Sequence, residues 1–473
     1  MERVGFFIDG KFGEGPEAVS VRDPWSGEAI AEGGAAGRSD VERATASALG
    51  AFARTRDSSR AARAEILARA ADGLGRRAEE IAGKIRLEAG KPISLARWEV
   101  VRARNTLQLA AEEAKRFTGE LLAADILPRY EGYRALYERF PIGPILGITP
   151  FNFPLSLVAH KIAPAVATGN PVLVKPAPQT PLTALALAEI LHEAGAPPGS
   201  VNVVPCSNEL AEEMVRDERH RMLSFTGGVR AGWYLKSISG KKKVTLELGG
   251  NAGLIVAPDA DLESAARKAA VGAFAYAGQA CISVQRIFVA RSIYGAFLER
   301  FRAEAEALGV GDPADEKTAV GPLVNAATAD RVMSWLDEAR HAGARILSGG
   351  TRRGNVIDPT IVVDVKPSMR ISCEEVFGPV ATVEPFDDLA RAIAAVNDSP
   401  FGLQAGVFTY DTRTIDYAFR NLDVGAVLVN ETSYFRIDNY PYGGVKDSGF
   451  GREGVRYAME SMTEPRVLVA APG

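Results

Sequence analysis

The spacing of hydrophobic residues changes several times along the chain, and each change indicates a different kind of element. Short apolar runs with turn residues between them predict strands and turns over about residues 1–35. From about residue 39 to residue 117, apolar residues recur at every third or fourth position, which is typical of amphipathic helices. Helices are predicted at residues 40–54, at residues 59–74 and in "PISLARWEVVRARNTLQLAAEEAKRF".

The pattern becomes that of strands after residue 127. "YEGYRALYERFPIG" alternates like a strand or hairpin. Two long series follow, over about residues 143–250 and 261–410, in which apolar strands alternate with helices. Such alternation is typical of βαβ units with parallel sheets, so an α/β fold is predicted. The tail "TEPRVLVAAPG" reads as a strand that pairs with the hairpin near residues 125–140 or with another subunit.

Composition narrows the possible functions. A chain of 473 residues is expected to form two or more domains, and 55 basic against 59 acidic residues offer no basic surface for nucleic acid. No signal peptide or membrane span is visible, which predicts a cytoplasmic protein. Three cysteines, an odd number, suggest a reducing compartment without disulfides, and four histidines without a Cys/His cluster make a metal site improbable.

Two short stretches suggest a nucleotide site. "FTGGVRAG" reads as a strand, a glycine turn at Gly227 and Gly228, and a helix whose free N–H groups could bind phosphate. On its own, this stretch could equally be a tight turn. "PVLVKP" places Lys175 just after a strand, where ligands gather in parallel sheets, although a lone lysine is more often a surface residue. Their occurrence in the same series of βαβ units favours both functional interpretations.

Three further residues carry the groups needed for acyl chemistry. Cys281, in "GQACIS", lies between a predicted helix and strand, and a thiolate attacks carbonyl carbon well. Glu247 ends an apolar strand, where burial would raise its pKa toward that of a general base. Asn152, in "TPFNFP", could donate to an oxyanion or simply cap a turn. A thiol, an amide, a base and a dinucleotide together suit oxidation of an aldehyde to an acid.

The order and spacing of these motifs resemble the aldehyde dehydrogenase superfamily over almost the whole chain. The matching stretches are "ITPFNFP", "ATGNPVLVKPA", "FTGG", "LELGG", "GQAC", "EEVFGPV", "NDSPFGLQAGVFT" and "PYGGVKDSGFGREG". The resemblance implies a Rossmann-like cofactor domain, an α/β catalytic domain and a small β flap for oligomerisation. The corresponding segments are 1–122 with 142–248 for the cofactor domain, 249–447 for the catalytic domain, and 123–141 with 460–473 for the flap.

Family motifs also imply individual roles. Cys281 resembles the nucleophile, Glu247 the general base and Asn152 the oxyanion donor, with hydride passing from a thiohemiacetal to NAD or NADP. Glu453 matches a second, peripheral carboxylate. The residues implied in cofactor binding are Thr149, Pro150, Phe151, Lys175, Ala177, Pro178, Phe225, Gly227, Gly228, Leu248, Glu375 and Phe377. Pro178 stands where many NAD-preferring members carry a glutamate, so NADP is not excluded.

The substrate is expected to be a small, anionic or strongly polar aldehyde. Arg102 and Arg436 fall on the two segments that resemble the walls of the family's substrate tunnel, and guanidinium groups bind carboxylate, phosphonate or phosphate well. The alternative is that either arginine pairs with a neighbouring Glu or Asp. The implied substrate residues are Arg102, His160, Ile282, Arg436 and Tyr442.

These stretches resemble the lactaldehyde, non-phosphorylating glyceraldehyde-3-phosphate and phosphonoacetaldehyde dehydrogenase branch. One departure is Ala280, where the sugar-phosphate enzymes carry an arginine. Alternatives are a neutral aldehyde or semialdehyde substrate, a CoA-acylating enzyme, which the presence of Glu247 argues against, and a non-catalytic member, which intact Cys281, Glu247 and Asn152 argue against. A homodimer or homotetramer is expected.

Overall fold

The computed structural model describes residues 2–472. As the hydrophobic pattern predicts, its first part consists of strands followed by helices. Five strands come first: β1 (Glu2–Val4), β2 (Phe6–Ile8), β3 (Lys11–Gly13), β4 (Glu17–Arg22) and β5 (Ala29–Ala35). Four helices follow: α1 (Arg38–Arg56), α2 (Arg60–Arg76), α3 (Ala78–Ala89) and α4 (Ile93–Arg116). The helix α2 begins where the Ser59 hydroxyl accepts a hydrogen bond from the Ala62 N–H at 3.1 Å.

The first predicted series of strands and helices is confirmed. Strands β6 (Glu120–Leu122) and β7 (Arg134–Pro141) precede it, and its elements are β8 (Ile145–Ile148), α5 (Ser156–Thr168), β9 (Val172–Lys175), α6 (Leu182–Glu193), β10 (Val201–Val203), α7 (Asn208–Arg216), β11 (Met222–Thr226), α8 (Val229–Ser237) and β12 (Lys243–Glu247). Strands β8 to β12 are almost wholly buried, which explains why they read as apolar runs without alternation.

The second series is also confirmed and contains short strands that the pattern did not indicate. Strand β13 (Ala252–Val256) precedes it, and its elements are α9 (Leu262–Phe274), β14 (Val284–Ala290), α10 (Tyr294–Glu306), β15 (Gly309–Val310), β16 (Thr318–Val320), α11 (Ala326–His341), β17 (Arg345–Ser348), β18 (Arg352–Arg353), β19 (Val356–Ile357), β20 (Thr360–Val363), α12 (Arg370–Cys373), β21 (Val380–Phe386), α13 (Leu389–Asn397), β22 (Phe401–Gly402) and β23 (Gln404–Phe408). The chain then continues with α14 (Thr412–Asn421), β24 (Ala426–Val429), β25 (Val445–Lys446), β26 (Gly449–Phe450), α15 (Val455–Ser461) and β27 (Thr463–Ala470).

The first large sheet has eight strands in the order β26-β12-β11-β8-β9-β10-β2-β3. Its five central strands, β12 to β10 in that order, are parallel, and β26, β2 and β3 are joined to them antiparallel. The carboxyl ends of parallel strands lie at one edge of the sheet. The glycine turn after β11, the lysine at the end of β9 and the glutamate at the end of β12 therefore lie along one edge.

The second large sheet has seven strands in the order β17-β20-β21-β14-β13-β23-β24. All neighbours in it are parallel except the β17–β20 pair. Each large sheet has its own buried apolar core, one formed with α2, α4, α5 and α6 and the other with α9, α10 and α11. The predicted α/β fold is confirmed.

The C-terminal tail forms a third sheet with the predicted hairpin. Strand β27 pairs antiparallel with β7 along eight residues, and β7 pairs with β6. The tail therefore adds to the hairpin of its own chain. The two large sheets and the sheet formed by β27, β7 and β6 are each built mainly from one of the proposed domain segments, whose boundaries stay a prediction. Among residues 2–472, no helix is long and apolar enough to cross a membrane.

Candidate active site

A cavity of about 250 Å³ brings most of the sequence-predicted site residues together. All three predicted catalytic residues, Cys281, Glu247 and Asn152, line it. So do all five predicted substrate residues and seven of the cofactor residues: Arg102, His160, Ile282, Arg436, Tyr442, Pro150, Phe151, Gly227, Gly228, Leu248, Glu375 and Phe377. Residues from both large sheets contribute, so the site depends on the packing of one sheet's edge against the other.

The remaining five predicted cofactor residues lie outside this cavity lining, at or just beyond the carboxyl ends of β8, β9 and β11. They are Thr149, Lys175, Ala177, Pro178 and Phe225. The Lys175 ammonium is buried and donates to the Asn208 side-chain oxygen at 3.2 Å, and burial lowers its pKa. The Phe225 ring lies beneath the glycine turn, where a Cβ on Gly227 would come within 2.6 Å of it. Pro178 is exposed.

The loop before Cys281 has an unusual backbone. Tyr276, Ala277 and Gly278 all adopt left-handed conformations, with φ of 55°, 54° and 67°. Such conformations cost free energy in non-glycine residues and persist only where surrounding contacts hold them. The Gln279 amide supplies these contacts, because it donates to the carbonyls of Tyr276 and Pro322 and accepts from the Val324 N–H. The loop thus holds the cysteine at the start of β14 in one position.

The Cys281 thiol lies at the cavity surface. Its sulfur lies 3.5 Å from the Tyr442 hydroxyl. Burial raises the pKa of Cys281 to about 11, and the hydrogen bond with Tyr442 only partly offsets that rise. A thiol with this pKa is a weak nucleophile at neutral pH unless a base removes its proton or a bound cation stabilises the thiolate.

Asn152 is oriented by the same loop that holds the cysteine. Its Nδ2 donates to the Gln279 carbonyl at 2.9 Å, and its buried Oδ1 has no hydrogen-bond partner among the described residues. A primary amide has two N–H donors, so one of them is left for a ligand in the cavity. This geometry suits a donor to an oxygen on a carbon attacked by Cys281, because the donor is fixed before the ligand arrives.

Glu247 is the last residue of β12 and has a buried carboxyl group. Neither of its carboxyl oxygens has a hydrogen-bond partner among the described residues. Burial raises the pKa of Glu247 well above its usual value, and the negative charge of Glu453 raises it further. A carboxyl group in such surroundings keeps its proton to a higher pH than usual, and once ionised it is a stronger base than an exposed glutamate.

A group of ionisable side chains that we call the buried charge cluster lies beside the catalytic candidates. It consists of Arg102, His160, Lys161, Arg436, Asp438 and Glu453. At its centre, the Asp438 carboxylate accepts two hydrogen bonds from Arg102, at 2.6 and 3.2 Å, and lies 3.0 Å from the His160 Nε2. Burial alone would raise the pKa of Asp438, but His160 and Arg102 hold it far below its usual range.

Arg436 connects the two carboxylates of the cluster. Its Nε lies 3.3 Å from Asp438 and its Nη2 lies 3.6 Å from Glu453. The guanidinium also stacks 3.6 Å from the centre of the Tyr442 ring. Its Nε is buried without a hydrogen bond among the described residues, so Arg436 keeps unused donor capacity although it is largely buried.

Lys161 and Glu453 form the deepest ion pair of the cluster. The Lys161 ammonium donates to Glu453 at 3.0 Å and to the hydroxyls of Thr226 and Ser224 at 2.8 and 3.2 Å. Burial alone would raise the pKa of Glu453, but Lys161 and Arg436 lower it to about 2. The Glu453 carboxylate is therefore ionised at neutral pH. The neighbouring Glu247 differs, because its pKa is raised.

The opposite wall of the cavity has features that suit a dinucleotide. A Cβ on Gly228 would meet no atom within 4 Å, so the start of α8 is open to a phosphate group. Glu375 accepts a hydrogen bond from the Gly250 N–H at 2.9 Å, and burial raises its pKa to about 7. The Phe377 and Phe151 rings pack edge to face, 5.9 Å apart, above this wall.

Asp438 and Lys161 have important positions that sequence reasoning did not identify. Asp438 follows Arg436 by two residues in a loop, and its contact with Arg102 joins residues 336 positions apart. Both arginines contact Asp438, so the alternative that either pairs with a neighbouring Glu or Asp holds for both. The signal in the sequence that could have indicated Asp438 is its position two residues after Arg436.

Comparisons with known proteins agree with this architecture. The family model described as "Aldehyde dehydrogenase family" matches residues 12–468. A 3-sulfolactaldehyde dehydrogenase from Priestia megaterium is 43% identical over 470 residues, covering 99% of this chain and 98% of that protein.

The chain belongs to the aldehyde dehydrogenase family.

Two solved aldehyde dehydrogenase structures share its fold throughout. Aldehyde dehydrogenase 21 from Physcomitrella patens, in complex with the reaction product succinate, has a TM-score of 0.97 at 39% identity and covers 100% of this chain, which covers 98% of that one. An NADP-dependent glyceraldehyde-3-phosphate dehydrogenase from Bacillus halodurans, complexed with NADP, has a TM-score of 0.97 at 35% identity with 100% of both chains covered. The resemblance stated from the motifs is confirmed, and the protein is an aldehyde dehydrogenase.

Proposed function

We propose that this aldehyde dehydrogenase oxidises a small, anionic or strongly polar aldehyde to its carboxylic acid through a covalent intermediate on Cys281. The observation that carries the proposal is the cavity in which Cys281, Asn152 and Glu247 lie together. These side chains come from three separate segments, after β8, at the end of β12 and before β14. A thiol, an amide donor and an unpaired carboxyl group are the groups that acyl transfer through a thioester requires.

In the first step, the Cys281 sulfur bonds to the aldehyde carbon as the thiol loses its proton. The carbonyl oxygen becomes negatively charged and accepts a hydrogen bond from the free Asn152 N–H, together with the Cys281 backbone N–H. Because burial raises the thiol pKa to about 11, the thiol gives up its proton to solvent only as the S–C bond forms.

In the second step, the tetrahedral carbon loses hydride and becomes a thioester of Cys281. Bound NAD or NADP supplies the hydride acceptor. Water then attacks the thioester carbon, the ionised Glu247 removes a proton from that water, and the C–S bond breaks to release the acid and restore the thiol. The raised pKa of Glu247 suits this task, because a stronger base removes a proton from water more readily.

The residues at the edge of the first sheet would bind the dinucleotide. Gly227 and Gly228 leave space beside the start of α8 for the pyrophosphate, and Lys175 has its ammonium at the end of β9. Glu375 would bind the ribose next to the nicotinamide, since its carboxylate projects into the same cavity as Cys281. The NADP bound by the Bacillus halodurans relative supports the proposed cofactor, NAD or NADP.

The charges around the cavity support a negatively charged substrate. Arg102 and Arg436 both line the cavity, whereas the carboxylate they share, Asp438, lies behind that lining. A ligand therefore meets the guanidinium groups first. A second cavity of about 410 Å³ adjoins the first and shares both arginines, and exposed Arg267 lies on its wall. The names of the sulfolactaldehyde and succinate-complexed relatives also describe small anionic molecules.

A panel of small aldehydes assayed with NAD and with NADP tests this proposal. We expect Arg102→Ala to lower kcat/KM for an anionic aldehyde by about ten- to a hundredfold, because one charged hydrogen-bonding group is lost. Propanal, which has no charge, should be affected far less. Arg104→Ala is the matched control, since Arg104 lies on the same helix but its half-exposed side chain points away from the cavity.

Two outcomes would contradict the proposal. Equal losses on charged and neutral aldehydes would assign Arg102 a structural role and remove the support for an anionic substrate. Acyl-CoA formation in place of the free acid when CoA is supplied would place the chain among CoA-acylating enzymes.

We also propose that the chain forms a homodimer or homotetramer through its third sheet. Val467, Leu468 and Val469 of β27 are each 58–61% exposed although adjacent side chains point to opposite faces of the strand. Leu121 on β6 is 77% exposed at the other edge. Exposed apolar strands of this kind pair readily with a second copy. Leu468→Glu should lower the mass measured by light scattering, and an unchanged mass would show that the sheet is not the contact.

A further inference from the structure

A buried glutamine holds the loop that carries Glu375. This residue, Gln285, lies on β14, the strand that follows the nucleophile candidate. Its Nε2 donates to the carbonyl of Glu374 at 2.7 Å and to that of Ile371 at 3.0 Å. Its Oε1 accepts a hydrogen bond from the Val376 N–H at 2.9 Å. The amide is therefore bonded to the residue before Glu375 and to the residue after it.

Two other side chains hold the same loop, each on one side of Glu375. Asn251 donates to two carbonyls that precede Glu375, at 2.7 and 3.1 Å. Arg331 donates to the Val376 carbonyl at 2.6 Å. Among the described residues, Gln285 is the side chain that bonds to the backbone on both sides, so its loss would free the loop more than the loss of either other contact.

The loop places Glu375 next to the segment that contains the nucleophile candidate. The Glu375 carboxylate accepts a hydrogen bond from the Gly250 N–H at 2.9 Å. A Cβ on the same glycine would come within 2.1 Å of the Cys281 carbonyl oxygen, so the backbone of Gly250 contacts both segments closely. Glu375 and Cys281 also line the same cavity. The position of the carboxylate relative to the thiol therefore depends on how firmly the loop is held.

We infer that Gln285 is a positioning residue for the dinucleotide, because its amide holds Glu375 where the carboxylate can bind the nicotinamide ribose beside Cys281. This inference rests on the proposed function and adds to it a residue that lies outside the cavity lining. A carboxylate on a firmly held loop binds with little further ordering, whereas a looser loop has to be ordered when the ligand arrives, which costs affinity. Gln285 acts in this way through Glu375, without touching the cofactor.

Gln285→Met tests the inference, because methionine has a similar size but lacks the amide donor and acceptor. One measured quantity is the Kd of NADH or NADPH, whichever wild type binds more tightly, from fluorescence titration of the full-length protein. The other is the Kd of ADP, which keeps the adenosine diphosphate part but lacks the nicotinamide ribose. We expect dinucleotide binding to weaken by roughly tenfold and ADP binding by less than about twofold.

Gln404→Met is the matched control. Gln404 is a buried glutamine on β23 of the same sheet, and its amide also makes three hydrogen bonds. Its Nε2 donates to the carbonyls of Ser433 and Phe435 at 2.6 and 3.2 Å, and its Oε1 accepts from the Tyr440 hydroxyl at 2.9 Å. These contacts hold the loop of Arg436, so Gln404→Met should leave the Kd of the dinucleotide close to that of wild type.

A double-mutant cycle tests whether Gln285 acts through Glu375. Glu375→Ala removes the carboxylate, so adding Gln285→Met should then weaken dinucleotide binding by less than about threefold. A tenfold effect of Gln285→Met in both backgrounds would overturn the inference. Equal weakening of dinucleotide and ADP, or an equal loss of dinucleotide affinity in Gln404→Met, would overturn it as well, because each would indicate general damage to the fold.

Gln285→Asn takes the place of the methionine variant if that variant does not fold. Asparagine keeps the amide but is shorter by one methylene, so it cannot reach both sides of Glu375 at once. Weaker dinucleotide binding with unchanged ADP binding would support the inference, and unchanged binding of both would overturn it. Failure of the proposed function has a different signature, because wild type would then bind neither NADH nor NADPH.

Discussion

Glu247 and Glu453 are neighbouring, buried carboxyl groups whose surroundings have opposite effects on them. Glu453 lies 3.0 Å from Lys161 and 3.6 Å from Arg436, and its pKa is lowered to about 2. Glu247 has no hydrogen-bond partner among the described residues, and its pKa is raised well above its usual value. The two differ little in exposure, at 3% and 2%. Burial alone therefore does not decide ionisation here; the presence of cationic partners does.

The same contrast divides the two sides of the cavity. On one side, burial raises the pKa of both Cys281 and Glu247 and neither has an ionic partner, which is a costly arrangement that stability alone would not favour. On the other side, Asp438 and Glu453 are permanent anions within ion pairs. We interpret the unpaired side as the part that exchanges protons and the paired side as the part that stays fixed and binds substrate.

The largest effect is expected on the unpaired side, from Cys281→Ala. Removal of the sulfur prevents formation of the thiohemiacetal, so turnover should fall by about 10⁴-fold or more. Dinucleotide binding, measured by fluorescence titration, should stay close to that of wild type because the thiol is not needed to hold the cofactor. Substantial residual turnover would show that another group is the nucleophile.

Substitutions on the side of the cavity that carries the ion pairs should change the stability of the protein. Glu453→Gln keeps the size of the side chain but leaves Lys161 and Arg436 without their shared carboxylate, which should cost about 3–5 kcal/mol in the free energy of unfolding. Glu247→Gln should cost much less, since that carboxyl group has no partner to lose. Denaturant unfolding of both variants measures the difference, and equal losses would contradict the contrast between the two residues.

The sign of the pH dependence follows from the lowered pKa of Glu453. Its ionic contribution to stability is complete above the usual glutamate value of 4.5 and is lost as pH falls toward about 2. The stability difference between wild type and Glu453→Gln should therefore shrink over that interval. A difference that stays constant as pH falls would indicate that the variant loses packing rather than charge.

Glu247→Gln should affect the release of product more than hydride transfer. The amide cannot take a proton from water, so deacylation should slow by about a hundredfold or more. Rapid-quench kinetics should then show a burst of reduced cofactor close to one per active site, followed by slow turnover. A variant with neither burst nor acylation would assign Glu247 a role in activating Cys281 alone.

The smallest predicted effect is the change of enzyme activity with pH. Both active forms, the Glu247 carboxylate and the Cys281 thiolate, arise by loss of a proton, so kcat should rise with pH by up to about tenfold per unit. The rise due to Glu247 should lie above pH 4.5, since its pKa is raised from that value. Glu247→Gln should lose this part of the profile while keeping any part due to Cys281. Identical profiles would refute the assignment.

Much of the fold and of the candidate site could be predicted from the residues in order along the chain. Apolar runs that alternate with helical periodicity indicated two parallel sheets, and strand ends followed by glycine, lysine or glutamate indicated where ligand-binding groups would gather. Gly228, Lys175 and Glu247 follow or end strands of one parallel sheet, as that reasoning requires. These features are local, so short segments contain the information for them.

The arrangement of charge was decided only by the tertiary structure. The contact of Arg102 with Asp438 joins residues 336 positions apart, and that of Lys161 with Glu453 joins residues 292 apart, so neither leaves a local pattern. The left-handed residues before Cys281 are held by Gln279 through contacts with the segment around Pro322. By itself, the sequence determined the elements and the chemical groups. Packing of the two sheets determined which carboxyl groups are paired, because ionisation depends on the charges and solvent that surround a group in space.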